Sequence, residues 1–162
     1  MKKQKMDTPD EVKLIALHTC WLNADSIKAR IRAGVLSSKE KEKIKNLPQE
    51  LQNLLAFGKT HSLFLAISVW YALLYVVIEG YRELNLSNKE VDELLAQEEY
   101  VDLLRQFRNA IFHYQKNPIS EKLLGFLTMK ESEIWIRKLN SAFAAFFTAY
   151  PPINKFLKQF ES

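Results

Sequence analysis

The sequence predicts an all-α protein, an up-and-down bundle of about five or six helices in one domain that spans residues 1–162. Three observations favour this class. Apolar residues recur three and four positions apart through most of the chain, which is the spacing of an amphipathic helix. Glycine and proline are scarce, with four and five copies, and the alternation that is typical of strands is absent. A chain of 162 residues can also bury a core without disulfides.

The first helix is predicted by its start signal and its apolar stripe. Residues 8–11, Thr-Pro-Asp-Glu, supply a capping threonine, a proline at the first helical position and a glutamate three residues after the cap. The residues expected to face the core are Leu14, Leu17, Trp21, Ala24, Ile27 and Ile31. Gly34 predicts the helix end. A second capping box, Ser37 with Glu40, predicts a short charged helix that Pro48 ends or restarts.

The central part of the chain is strongly apolar. A brief apolar turn before Gly58 is predicted from Leu51, Leu54 and Leu55. A helix that is apolar nearly all round follows from about residue 62 to 84. Residues 62–78 carry no charge, which approaches the roughly 17 residues of the shortest membrane span. Polar and aromatic residues within this run, and Glu79 directly after it, favour a buried core helix; a membrane-associated protein is the alternative.

A third capping box, Ser87 with Glu90, predicts a helix whose inward residues are Val91, Leu94 and Leu95. Residues 97–99 are expected to break the path before the next helix. That helix, called the motif helix below, is predicted to begin near Tyr100 and to stop by residues 117–118, Asn-Pro.

The end of the chain predicts a connector, a long helix and a tail. An apolar connector after Ser120 is expected from Leu123, Leu124, Phe126 and Leu127. The last long helix is predicted from about residue 130 to 150, and prolines at 151 and 152 end it. Its expected buried residues are Trp135, Leu139, Ala142, Phe143, Phe146, Phe147 and Tyr150. A short amphipathic tail follows with Ile153, Phe156, Leu157 and Phe160.

Side chains suited to chemistry are concentrated in residues 105–114 of the motif helix. At about 100° per residue one side is apolar and is expected to be buried, with Leu103, Leu104, Phe107, Ile111 and Tyr114. The opposite side carries, at spacings of four, Arg105, Asn109 and His113. Arg108 lies about 140° round the axis from His113, so one regular helix does not easily aim both at a single phosphate. Two copies of the chain could instead each supply half of a shared site.

Phe112 lies on the polar side of the same helix. A large aromatic at such a position is expected to be covered by a groove or by a second copy of the chain. The sequence therefore predicts a homodimer whose interface includes Phe112.

Four residues of this helix, in the order Arg-Asn-x-x-x-His-Tyr from Arg108 to Tyr114, resemble the signature of the HEPN superfamily. That signature is an arginine followed after four to six residues by histidine, often with asparagine, aspartate or histidine next to the arginine. The resemblance implies a small all-helical domain, commonly homodimeric. It also implies a metal-independent endoribonuclease of toxin–antitoxin, abortive-infection or CRISPR-linked defence systems. One departure is visible: nucleotidyltransferase-partnered toxins carry a tyrosine two positions after the histidine, where this chain has Gln115.

The chemistry of these side chains fits cleavage of single-stranded RNA. An imidazole titrates near neutral pH, so His113 is expected to act as acid or base when a ribose 2′-hydroxyl attacks the adjacent phosphate. The planar, always charged guanidinium of Arg108 is expected to bind the phosphate. Asn109 would orient His113 or the phosphate, and Arg105 and Tyr114 would bind neighbouring RNA. No metal or cofactor is expected.

Other interpretations of these residues stay open. The main alternative is a non-catalytic HEPN-like module for dimerisation or for nucleotide or RNA binding, in which Arg108 and His113 are structural. His113 lies near a predicted helix end, where a catalytic acid and a capping residue look the same. Glu79 is either a solvated residue at the rim or the partner of Arg105 or Arg108.

The net charge of +4 is unevenly placed. Residues 1–50 hold eleven Lys or Arg against seven Asp or Glu, whereas residues 51–162 hold twelve of each. Part of the excess forms a cluster with Lys39, Lys41, Lys43 and Lys45. Such a cluster is either an RNA-binding surface or an ordinary solvated face.

Cys20 is the single cysteine, which excludes an internal disulfide. Apart from His18 and Cys20, which are a weak candidate pair of metal ligands, no Cys or His residues stand at ligand spacing, so no metal site is predicted. The basic start of the chain lacks the apolar run of a secretory signal, so a cytoplasmic protein is expected. RNA and a second copy are the expected partners, together with an antitoxin or a nucleotidyltransferase.

Overall fold

The computed structural model describes residues 8–33, 42, 44–117 and 120–149, and this part of the chain is helical without a strand. Its helices are α1 (Thr8–Ala33), α2 (Gln49–Glu83), α3 (Lys89–Leu95), α4 (Glu98–Phe112), α5 (Glu121–Thr128) and α6 (Ser132–Ala149). The all-α class predicted from the sequence is confirmed.

Helix α1 packs along α2 with the predicted stripe inward. Leu14, Leu17, Trp21 and Ala24 are all buried. The approach is close at Gly80, where an added Cβ would lie 2.5 Å from Leu17 Cδ1. Glycine at position 80 thus lets the backbone of α2 come within contact distance of α1.

Helix α2 continues without a break from Gln49 to Glu83, so the predicted separation at Gly58 is wrong. Pro48 is the N-cap residue and starts the helix. An interior glycine weakens a helix by about 1 kcal/mol but does not end it. The two halves of α2 differ in environment. Residues 66–83 supply the buried set Ser68, Trp70, Tyr71, Ala72, Leu74, Tyr75, Val77, Ile78 and Tyr81, whereas nearly every side chain of residues 49–65 is exposed.

By length and composition, α2 is the one helix of the described residues that could cross a membrane. The core helix of a soluble protein passes the same test, and 44% of the most apolar stretch of α2 is buried in the described structure. Its Trp70 indole donates a hydrogen bond to the Asn140 side chain in the interior, at 3.2 Å.

The core joins α2 to every long helix. Asn140 of α6 accepts from Trp70 and donates through Nδ2 to Asp25 of α1, at 3.0 Å, so one buried amide connects three helices. On another side of α2 the rings of Tyr71, Phe107 and Phe126 contact one another, with centroids 5.6–6.0 Å apart. These aromatic contacts fix α4 and α5 against α2.

Shorter elements differ in detail from the prediction. Asn88, and not Ser87, caps α3: its side chain accepts from the backbone N–H groups of Glu90 and Val91. The expected connector after Ser120 is the helix α5, because the Ser120 side chain accepts from the Leu123 N–H and starts a helical turn.

Helix α6 buries the predicted residues Trp135, Leu139, Ala142, Phe143, Phe146 and Phe147. The predicted capping box at residues 37–40 and the tail beyond Ala149 lie outside the described residues.

Candidate functional site

The motif helix is α4, and it ends earlier than predicted. Phe112 is its last residue, and His113 is the C-cap residue with φ −119° and ψ 144°, an extended conformation. The His113 N–H still donates to the Asn109 carbonyl at 3.1 Å. The Gln115 side-chain amide donates to the His113 carbonyl at 3.0 Å. These two hydrogen bonds satisfy backbone groups at the end of the helix.

Arg108 is held on the side of α4 that faces α2. Its Nη2 donates to the Glu79 carboxylate and its Nη1 donates to Asn109 Oδ1 at 2.9 Å. The guanidinium carbon lies 5.2 Å from the centroid of the Tyr75 ring, a cation–π arrangement. Within the described residues the buried Nε of Arg108 has no hydrogen-bond partner. The guanidinium is therefore fixed in direction and partly neutralised by Glu79.

Glu79 combines the two predicted interpretations. Its side chain is 44% exposed, as a rim residue would be, and it is also the ion-pair partner of Arg108. Burial raises the pKa of the Tyr75 hydroxyl, and the negative charge of Glu79 raises it further, while Arg105, Arg108 and Arg82 oppose the shift. The Tyr75 hydroxyl is thus a neutral group beside the pair.

His113 is exposed to solvent and is not enclosed by the core. Because it lies beyond the helix, the 140° angle to Arg108 that a regular helix predicts does not describe it. The angle predicted for a regular helix is wrong, since the direction of the imidazole depends on the chain beyond Phe112. A shared site now rests on the resemblance alone.

Three further predicted residues near His113 are exposed, but they differ in their contacts. Tyr114, predicted on the buried stripe, is 92% exposed, because the helix has already ended. Phe112 is 50% exposed, as predicted for an aromatic on the polar side. Arg105 is exposed and donates through Nε and Nη2 to Asp102 Oδ1, at 3.0 and 2.6 Å. This contact lowers the pKa of the Asp102 carboxyl.

Of the predicted RNA-binding lysines, Lys45 is exposed. The other three, Lys39, Lys41 and Lys43, lie outside the described residues. The described part of the chain contains no group of three or more His, Cys, Asp or Glu side chains placed to hold a metal ion.

His18 is buried and does not pair with Cys20. Its ring stacks on Trp21 with centroids 5.8 Å apart and contacts the Phe147 ring at 5.0 Å. Burial lowers the pKa of His18, so the imidazole is neutral in the core.

The contact that sequence reasoning left unresolved is the pair of Glu79 with Arg108. Periodicity places a residue on a face of its own helix, but it does not identify the residue opposite on another helix. The available signal was a carboxylate directly after seventeen uncharged residues, a position where a buried or half-buried charge requires a partner.

Comparisons of the chain with protein-family models, with curated proteins and with solved structures find no match.

Proposed function

We propose that this protein is a homodimeric, metal-independent endoribonuclease of the HEPN type that cuts single-stranded RNA in the cytoplasm. The observation that carries the proposal is the arrangement around the end of α4. An exposed imidazole at residue 113 follows an arginine that two acceptors hold in a defined direction. Its regulation by an antitoxin or a nucleotidyltransferase belongs to the same proposal.

In the proposed reaction a base removes the proton of a ribose 2′-hydroxyl, and O2′ attacks the adjacent phosphorus. The bond from phosphorus to the 5′-oxygen breaks, and an acid protonates that oxygen. His113 performs one of these two proton transfers. Arg108 stabilises the negative charge that develops on the phosphate oxygens. The second proton transfer falls to water or to His113 of a second copy.

The structure supports a more specific part for Asn109. Because its Oδ1 accepts from Arg108 Nη1, it is a positioning residue for the arginine. Glu79 serves the arginine in the same way. Arg105, Tyr114 and Lys45 are exposed and contribute contacts to neighbouring phosphates and bases.

A second candidate is the non-catalytic module, and one observation favours it. Arg108 is half-buried and already donates to Glu79 and Asn109, which are the contacts of a residue that stabilises the fold. In this case Arg108 would join α4 to α2 without binding RNA.

Cleavage of a labelled single-stranded RNA in the presence of EDTA tests the proposal. His113→Ala should reduce the rate by about a hundredfold to ten-thousandfold, as expected for loss of a general acid or base. Arg108→Ala should have a similar effect. Arg137→Ala is the matched control, because Arg137 is an arginine ion-paired with Glu133 on another helix.

Wild-type protein that leaves all RNA intact would refute the enzyme and favour the module. Loss of folding in His113→Ala would also count against catalysis, since an exposed residue should be removable without unfolding the protein.

A further inference from the structure

The N-terminal half of α2, residues 49–65, is unusual because it is apolar and the described residues leave it uncovered. We call it the projecting segment. Its exposed large apolar residues are Leu51, Leu54, Leu55, Phe57, Leu63, Phe64 and Leu65, each between 39% and 71% exposed. If one such residue has a surface of roughly 200 Å², the whole set, which lies around the helix, exposes about 700 Å², and the four leucines at 51, 54, 55 and 65, which share one side, expose about 400 Å². The whole set exceeds the largest patch on a typical monomer, about 300–600 Å². The four leucines supply about half of the roughly 800 Å² that one partner contributes to a standard interface.

Gly58 lies in the middle of this segment, and nothing in the described residues requires a glycine there. Glycine weakens a helix interior, and a Cβ added at Gly58 would meet no atom within 4 Å. By contrast, an added Cβ at Gly80 or Gly125 would press on a neighbouring leucine. The missing side chain at position 58 would let a partner approach the backbone of the helix closely from outside.

The residues around Gly58 form one face of the helix. At about 100° per residue, one side of the helix carries positions 51, 54, 55, 58, 62 and 65. This face consists of leucines on either side of a small centre formed by Gly58 and Ser62. Such a centre lets two helix backbones come close where they cross, with leucines packing on both sides.

We propose that a second copy of this chain covers the projecting segment, with the two α2 helices crossing at Gly58. In a two-fold symmetric pair the closest approach of two equivalent helices lies on the symmetry axis, so the same residue meets itself there. A small residue at the centre of the face fits that arrangement. Charge does not oppose it, because Glu50 and Lys59 are the only Asp, Glu, Lys or Arg residues of the segment.

The position of α4 supports the same occupant. Glu98 at the start of α4 lines a groove with Arg82, and Phe107 contacts Tyr71, so α4 runs antiparallel to α2. The end of α4 at Phe112 is therefore directed towards the projecting segment. Phe112 and the projecting segment can therefore belong to one interface. This proposal names a surface for the dimer proposed above, and it holds whether or not the protein cuts RNA.

Sedimentation equilibrium of the full chain, without RNA, tests the proposal. We expect the wild type to be a dimer at tens of micromolar, and Leu54→Glu to raise the dissociation constant by more than tenfold. Ile134→Glu is the matched control, because Ile134 is 53% exposed on α6 and should leave the dimer unchanged. Circular dichroism of each variant excludes unfolding as the cause.

Gly58→Ala is the sharper variant. An added methyl group raises helix propensity, so it should preserve or improve folding, yet at a crossing point it should weaken the dimer about tenfold or more. Thr60→Ala, about 160° round the helix from Gly58, should not weaken it. A monomeric wild type, a dimer unaffected by Leu54→Glu or Gly58→Ala, or a monomer that binds phosphatidylcholine vesicles would each overturn the proposal. Because no RNA is present, these results are independent of ribonuclease activity.

Discussion

Removal of the Glu79–Arg108 ion pair should destabilise the fold more than removal of the Glu133–Arg137 pair. The side chains of Arg108 and Glu79 are 23% and 44% exposed, against 55% and 65% for Arg137 and Glu133. Exposed i, i+4 pairs contribute about 0.3–0.5 kcal/mol, and loss of one partner of a buried pair costs about 3–5 kcal/mol. After allowance for the solvent around Glu79, we expect a coupling energy of about 1 kcal/mol between positions 79 and 108.

A double-mutant cycle measures this coupling by urea denaturation of the wild type, Glu79→Gln, Arg108→Ala and the double variant. Arg108→Ala alone should cost about 1–2 kcal/mol, because it also loses the contact with the Tyr75 ring. The same cycle at Glu133 and Arg137 is the control. A coupling at positions 79 and 108 no larger than that of the control would refute the view that Glu79 holds the arginine. Arg108 would then owe its direction to Asn109 and Tyr75.

Three further predictions concern the core, the buried histidine and the shared site. Phe107→Ala should lower the free energy of unfolding by about 3–5 kcal/mol in urea denaturation, because Phe107 is fully buried. The free energy of unfolding should fall as the pH drops from about 7 through 6.5, because the unfolded state takes up a proton that the buried His18 resists. His18→Leu should flatten this part of the profile. Mixing inactive His113→Ala with inactive Arg108→Ala should restore part of the ribonuclease activity if each site takes one residue from each copy. If subunits are proven to exchange and no activity returns, both groups act within one chain.

Helices whose signals are local could be predicted from the sequence. The buried side of α1 follows from apolar spacing. Its described range is Thr8–Ala33, and Gly34, its predicted end, lies outside the described residues. The break predicted at Gly58 failed because one interior glycine costs less than the hydrogen bonds that continue the helix on both sides.

Arg108, Asn109 and His113 are candidate site residues from the sequence, and their role stays a prediction. The geometry around them was not predictable, because helical periodicity was continued through His113, whose backbone is in fact extended. Glu79 is 29 residues away from Arg108 in the chain, so their contact depends on how α4 packs on α2. The exposure of residues 49–65 was missed for a similar reason, because a continuous apolar helix resembles a core helix whether or not a neighbour reaches it.

The buried amide of Asn140 determines which of several alignments the long helices adopt. A helix that is apolar nearly all round can slide along its neighbours by one turn, about 5.4 Å, and still bury leucine against leucine. A slip of that size would separate Asn140 from Trp70 and Asp25. A buried donor or acceptor left without a partner costs about 1–3 kcal/mol. Hydrophobic contact brings α1, α2 and α6 together, and these two hydrogen bonds select their axial alignment.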